Sequence, residues 1–159
     1  MTSPSALRHP RPGMVAALAA VLVGSLLGSA LAADVGSVKV VKGSVHIERG
    51  GHRVPAAVGA RVQKSDVIVT GLDGSVGIAF VDNSLLSAGP DTVLTIDAFA
   101  FDPTTHAGAF EATLGRGTLS VVSGKIARQT PEAMKVRTPA AILGVRGTEF
   151  LVRTGEAAR

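Results

Sequence analysis

Beyond residue 33 the chain alternates apolar and polar residues in short runs, the period-two signature of half-buried strands. In "VKVVKGSVHIERGG", Val38 and Val40 and then Val45 and Ile47 recur on either side of Gly43, with charges between them and a Gly-Gly turn behind. "SVGIAFVD" sets Val76, Ile78 and Phe80 on one face, and "TVLTID" sets Leu94 and Ile96 on one face with Val93 and Thr95 on the other. "AFEATLGRGTLSVV" predicts a strand carrying Phe110, Ala112 and Leu114, turns at Gly115 to Gly117, and a second strand carrying Leu119 and Val121. "MKVRT", with Met134, Val136 and Thr138 in phase, and the final "EFLV" supply the last strands. Turn signals come about every 8 to 12 residues, a spacing that predicts an all-β single domain. Its short, twisted strands are expected in a sandwich-like or an irregular solenoid-like arrangement.

The turns have their own chemistry. Asp73-Gly74 in "GLDGS" is a strong hairpin signal, and Asp82-Asn83 suits a tight reversal because Asn tolerates positive φ. Four segments, "GSVKV", "GSVHI", "GSVGI" and "GTLSV", repeat Gly, then Ser or Thr, then an apolar-alternating pair. They begin at Gly36, Gly43, Gly74 and Gly117, with no fixed period, so they read either as glycine turns feeding strands or as an irregular solenoid winding. Helical signal is scarce. "AAVGARVQKSD" reads as a loop, and "PAAILG" could make one turn with Pro139 at its first position and Gly144 as its stop.

The first 32 residues break this pattern. Arg8, His9 and Arg11 precede the apolar "MVAALAAVLVGSLLG", and Ala30 and Ala32 give an A-x-A site, the layout of a cleaved secretory signal helix. Cleavage after Ala32 would leave a β-domain over residues 33–154 and a frayed polar tail over 155–159, exported to the periplasm or secreted, with no stable membrane span. The competing reading is a retained anchor, since Met14 to Ala32 has roughly the length of a membrane-crossing helix. With no cysteine at the site, a lipoprotein anchor is excluded, and an exported chain without disulfides depends on packing alone. Losing Arg8 and Arg11 lowers the formal net charge of +4 by two, so charge points to no particular partner.

Composition and spacing argue against most chemistry. With 5 Phe and neither Tyr nor Trp, the chain offers few flat platforms for sugars or single-stranded nucleic acid. His46, His52 and His106 have no metal-ligand spacing, and neither Ser65-Asp66 nor Ser84 lies in a nucleophile elbow. Asp82, Asn83 and Asp91 do not follow a calcium-loop spacing. Lys39, Lys42, Arg49, Arg53, Arg61 and Lys64 alternate with apolar residues as on a solvated sheet face. The expectation is therefore a non-catalytic protein without cofactor or metal, with no nucleic-acid or small-molecule ligand.

The order of landmarks adds a resemblance. "SDVIVTG" at Ser65 to Gly71, "FVDNS" at Phe80 to Ser84 and "TPAAILGVRGTEF" at Thr138 to Phe150 resemble a FecR-type domain, over about Val35 to Val152. Asn83 stands where the family usually has glycine. The resemblance implies an all-β envelope domain without catalysis, which in its best-understood members relays a signal from an outer-membrane receptor. It also implies motif residues at Asp66, Thr70, Gly71, Asp82, Asn83, Ser84, Thr138, Pro139, Arg146, Gly147 and Thr148. The 13 residues before the apolar stretch are too few for a cytoplasmic sigma-binding segment, so the architecture resembles the stand-alone, exported FecR-like proteins.

The leading expectation is a module that binds an envelope protein, possible because exposed strand edges accept an added strand. The alternative is a cell-wall or polysaccharide-binding accessory domain. Arg146, between Gly144 and Gly147, is expected to be an internal clamp gripping Asp66 or Asp82 in fork geometry. An exposed arginine that contacts the partner is the competing role.

Overall fold

A computed structural model describes residues 33–144 and 148–155 of the chain. Its strands are β1 (Asp34–Lys42), β2 (Val45–Arg49), β3 (His52–Pro55), β4 (Arg61–Gln63), β5 (Val67–Thr70) and β6 (Ser75–Phe80). They continue with β7 (Leu85–Ala88), β8 (Val93–Phe101), β9 (Gly108–Val122), β10 (Met134–Arg137), β11 (Ile142–Gly144) and β12 (Glu149–Thr154). One short helix, α1 (Lys125–Gln129), and a 3-10 turn at Pro131–Ala133 separate β9 from β10. The strands form one curled sheet in the order β3-β2-β5-β8-β9-β7-β6-β1-β4, with β10 and β12 added alongside β9 and β11 alongside β10. Every pairing is antiparallel except β9 with β10.

The sheet curls because β9, 15 residues long, belongs to two halves. Its first part pairs with β8 and its second with β7, and the two halves close over a shared core. The alternation dictates what faces inward. Ile68, Leu94, Ile96, Phe110, Ala112 and Leu114 from one half meet Val76, Ile78, Phe80, Leu86, Leu119 and Val121 from the other, all buried. Phe80 of the second half lies 5.6 Å from Phe99 and 4.7 Å from Phe110 of the first, ring centre to ring centre. Burying each such large side chain contributes up to about 1.5 to 3 kcal/mol. The all-β single domain is one curled, almost wholly antiparallel sheet, a half-barrel whose two halves face each other as the layers of a sandwich do; a solenoid would stack successive windings in parallel, and these neighbours run antiparallel.

Several local expectations fail for reasons of long-range pairing. Asp73-Gly74 closes no hairpin: β5 pairs with β2 and β8 while β6 pairs with β1 and β7, so the segment is a corner between the halves. Gly115 to Gly117 make no reversal, because β9 runs straight through them as one strand with Gly117 at φ +94°. Val40 is 50% exposed although Val38 is buried, because a bulge between them shifts the register and turns Val40 outward. In "PAAILG", Pro139 to Ala141 lie in the reversal between β10 and β11, closed from Thr138 to Ala141, and Ile142 to Gly144 are β11 itself; the helix lies instead at Lys125–Gln129. There only Ile126 and Ala127 are buried, too little apolar content for a recognisable helical period.

Three of the four Gly-Ser/Thr segments mark the line along which the chain crosses between the halves. Gly43-Ser44 follows β1, Gly74-Ser75 opens β6 and Gly117-Thr118 lies within β9. The crossings are laced together. The Gly71 N–H donates to Ser44 O at 2.8 Å, Asp91 N–H to Gly71 O at 3.0 Å, and Gly89 N–H to Thr118 O at 2.9 Å. Buried Thr70 donates its hydroxyl to Gly89 O at 2.7 Å and accepts from Thr92 N–H at 2.8 Å. Backbones this close leave no room for a Cβ: at Gly43 it would strike the Asp73 carbonyl, and at Gly117 the Thr92 side chain.

Candidate partner-binding groove

The feature most suited to recognition is a gap in the ladder beside β9. On that side β10 pairs with Phe110 to Thr113 and β12 pairs with Gly117 to Val122. Among the described residues, Leu114, Gly115 and Arg116 have no strand partner there, although β8 continues to pair on the other side. The gap arises because Thr138 stops β10. The Thr138 N–H and hydroxyl both donate to Ala141 O, at 2.8 and 3.1 Å, and the Ala141 N–H returns to Thr138 Oγ1 at 3.0 Å. Pro139, lacking an N–H, sits at the bend of this reversal.

Above the gap lies an open groove of about 1010 Å³. Gly115 to Thr118 form its floor, Thr138 to Ala140 with Leu143 one wall, and Val152 to Gly155 the other. Asp91 and Arg116 close one end with an ion pair of 3.1 Å, both side chains more than half exposed. The Thr154 hydroxyl is buried in the second wall and has no hydrogen-bond partner among the described residues. The groove therefore offers unpaired backbone, an apolar wall, a buried hydroxyl and a rim of both charges. None of the described phenylalanines lines it.

The residues singled out from the sequence fall at separate places. Thr138 and Pro139 line the groove, and Thr70 and Gly71 are tied beneath its end through Asp91 and Thr92. Asp82, Asn83 and Ser84 form the β6–β7 reversal, with Asn83 at φ 68°. The Asp82 carboxylate accepts from the Ser84 N–H at 3.0 Å and its hydroxyl at 2.7 Å, and Ser84 Oγ accepts the Gly124 N–H at 3.0 Å. Thr148 O accepts the Ser123 N–H at 2.8 Å, which brings the start of β12 to the same neighbourhood. Arg146 and Gly147 lie outside the described residues.

Asp66 is completely buried and holds Arg49 in a two-pronged grip, from Nε to Oδ1 and from Nη2 to Oδ2 at 2.7 Å each. The same carboxylate accepts the Gln63 N–H at 2.8 Å, and Arg49 reaches on to the Arg61 carbonyl at 2.8 Å. The hydrogen bond with Asp66 pushes the guanidinium above its ordinary pKa against the opposing effect of burial. Sequence reasoning placed Arg49 with the solvated charges. Its position in phase with Val45 and Ile47 was the available signal that it shares their inward side.

The model of the FecR protein family matches residues 66–159. That span begins at Asp66 and contains every residue that lines the groove, while β1 to β4 precede it. No curated protein and no solved structure matches the chain.

Proposed function

The chain belongs to the FecR protein family, and from that premise we propose that it is an exported, non-catalytic β-module that binds a protein partner in envelope sensing. The family is a regulatory, non-enzymatic one whose domains are typically periplasmic, and its involvement in signalling suggests a protein partner. The partner contributes an extended segment that enters the groove and pairs with the backbone of Leu114 to Arg116. The observation that carries this reading is that Leu114 to Arg116 of β9 have no strand partner on the groove side among the described residues: they present main-chain donors and acceptors between two walls, which is what strand addition requires. The apolar wall at Leu143 gives the incoming side chains something to bury against. A polysaccharide ligand is less well supported, because sugars favour stacking on aromatic rings and Phe80, Phe99 and Phe110 are packed against one another.

Photo-crosslinking tests the reading. A crosslinking residue at Ala140, on the groove wall, should capture a protein from envelope extract; the same residue at exposed Ala57 should not, and Leu143→Asp should abolish capture from position 140. Sedimentation of the protein with isolated peptidoglycan, with no protein captured from Ala140, would favour the polysaccharide alternative. Export itself is tested by N-terminal sequencing of protein from the periplasmic fraction, which should begin at Ala33.

A further inference from the structure

The two outer faces of the sheet differ in chemistry. On the half containing β2, β3 and β10 the outward side chains carry ion pairs, Arg53 with Glu48 at 3.5 Å and Arg137 and Lys135 with Glu111 at 3.0 and 3.8 Å. On the half ordered β4-β1-β6-β7-β9-β12, the strand register lays out an outward row with a cation at each end, Lys42 beside Ser75 and Arg153 beside Thr118, and next to it two further outward rows. One reads Val40, Gly77, Ser87, Ser120, Leu151; the other reads Arg61, Ser37, Ala79, Leu85, Val122, Glu149. Between the terminal Arg61 and Glu149 neither row holds a charge, and the one cation that touches them is exposed Lys39, in the bulge beside Val40. Val40, Leu85 and Leu151 are 50%, 47% and 68% exposed, while the residues that alternate with the rows, such as Ile78, Leu86 and Val121, are buried on the opposite side.

We propose that this face is where two copies of the chain associate, related by a two-fold axis that runs along the strands between β6 and β7. Such an axis reverses the order of strands, laying β4 over β12, β1 over β9 and β6 over β7 of the second copy. Leu85 then lies over Ala79, Val122 over Ser37, Val40 over Ser120 and Ser87 over Gly77, while Leu151 lies beyond the end of the facing row, which has no member on β4. At the ends Arg61 faces Glu149 of the second copy, twice. A two-fold interface requires that if one residue meets another, the second also meets the first; the four facing pairs satisfy this in size and the Arg61–Glu149 ends satisfy it in charge. Stacked sheets lie roughly 10 Å apart, a gap that an arginine and a glutamate span together. Arg61 also pairs with Asp34 within its own chain at 3.5 Å, yet its side chain remains 68% exposed and free to reach outward.

Six strands about 4.8 Å apart, crossed by one row of six residues and one of five, give a patch on the order of 800 Å² of buried surface for the pair, which is small for a specific interface and suits a weak association. Association should therefore be reversible. None of the residues in the two rows lines the groove, so this interface is independent of the partner-binding reading.

Sedimentation velocity on the natively processed protein, over a wide concentration range, tests the proposal. The expected result is a concentration-dependent shift from monomer to dimer. Ala79→Glu, which places a charge at the centre of the face, should leave a monomer with an unchanged circular dichroism spectrum. Arg61→Glu and Glu149→Arg should each weaken association by about tenfold by setting like charges opposite one another, and the double exchange should restore it. If Ala79→Glu fails to fold, the exchange at the two exposed ends still decides. A monomer at every concentration, a dimer that survives Ala79→Glu, or a double exchange as weak as the single ones would overturn the proposal.

Discussion

The Arg49–Asp66 pair joins a strand that precedes the family match to the residue at which the match begins, and its two partners are unequally buried. The Asp66 side chain is wholly buried, whereas that of Arg49 keeps 34% of its exposure. Arg49→Ala strands a carboxylate in the interior with one remaining donor, the Gln63 N–H, and an uncompensated buried charge costs about 3 to 5 kcal/mol. Asp66→Asn leaves the guanidinium able to turn towards water and to keep the Arg61 carbonyl. Its cost is the difference between charged and neutral hydrogen bonds, reduced by solvent screening, about 2 kcal/mol. Removing the arginine should therefore hurt more than neutralising its partner. Combining the changes should be less damaging than Arg49→Ala alone, since no ion is then left buried.

Guanidinium unfolding with matched slopes reads these differences, and in a domain of this size 1 kcal/mol corresponds to roughly 3 to 6 °C in melting temperature. In the intact protein the Arg49 pKa is raised, so the stability it contributes is complete below the unfolded value and is lost only as strong alkali carries the pH through the folded value. An Asp66→Asn variant at least as unstable as Arg49→Ala, or additive effects in the double variant, would refute the reasoning.

Gly117→Ala should lower stability by about 1 to 3 kcal/mol in thermal unfolding, because the new methyl meets Thr92 at a backbone angle that disfavours any side chain. Ser84→Ala removes a donor to buried Asp82 and the acceptor of the Gly124 N–H; a loss of about 1 to 3 kcal/mol is expected in the same assay. The Asp102 carboxyl is held below its ordinary pKa by the N–H groups of Thr104 and Thr105. Its contribution is present above the unfolded value and is lost as pH falls through the folded one; an NMR titration of Asp102 should show a midpoint below that of free aspartate. For the proposed Arg146 clamp, a double-mutant cycle of Arg146→Lys with Asp82→Asn should show coupling above about 0.5 kcal/mol, and strict additivity would exclude Asp82 as its carboxylate.

How far the sequence could be read depends on the range of the interaction. The inward faces of β6, β8, β9 and β10 were legible, since Val76 with Ile78, Leu94 with Ile96, and Met134 with Val136 are fixed by a local period of two. The inward row of β1 was misread at Val40, because a bulge is defined by a partner strand and not by the sequence that contains it. Thr138 and Pro139 were legible as a special position, but not as the stop that opens a gap beside β9; that gap exists only because β12 resumes pairing further along. Arg49 was hidden because composition groups it with surface cations, while only the folded sheet brings Asp66 to it across 17 residues.

By itself the sequence determined the all-β class, most of the inward-facing residues and the places where the chain must bend. These follow from the alternation of side chains along a strand and from the backbone freedom of a few residues, both local properties. Tertiary structure alone decided that Gly43, Gly74 and Gly117 lie along one corner, that Asp73-Gly74 leads to the opposite half and not to a hairpin neighbour, and that among the described residues β9 has a strand on only one side over Leu114 to Arg116. A turn signal specifies that the chain changes direction. Which strand it then meets is set by how the two apolar faces can close on one core, and that closure involves residues far apart along the chain.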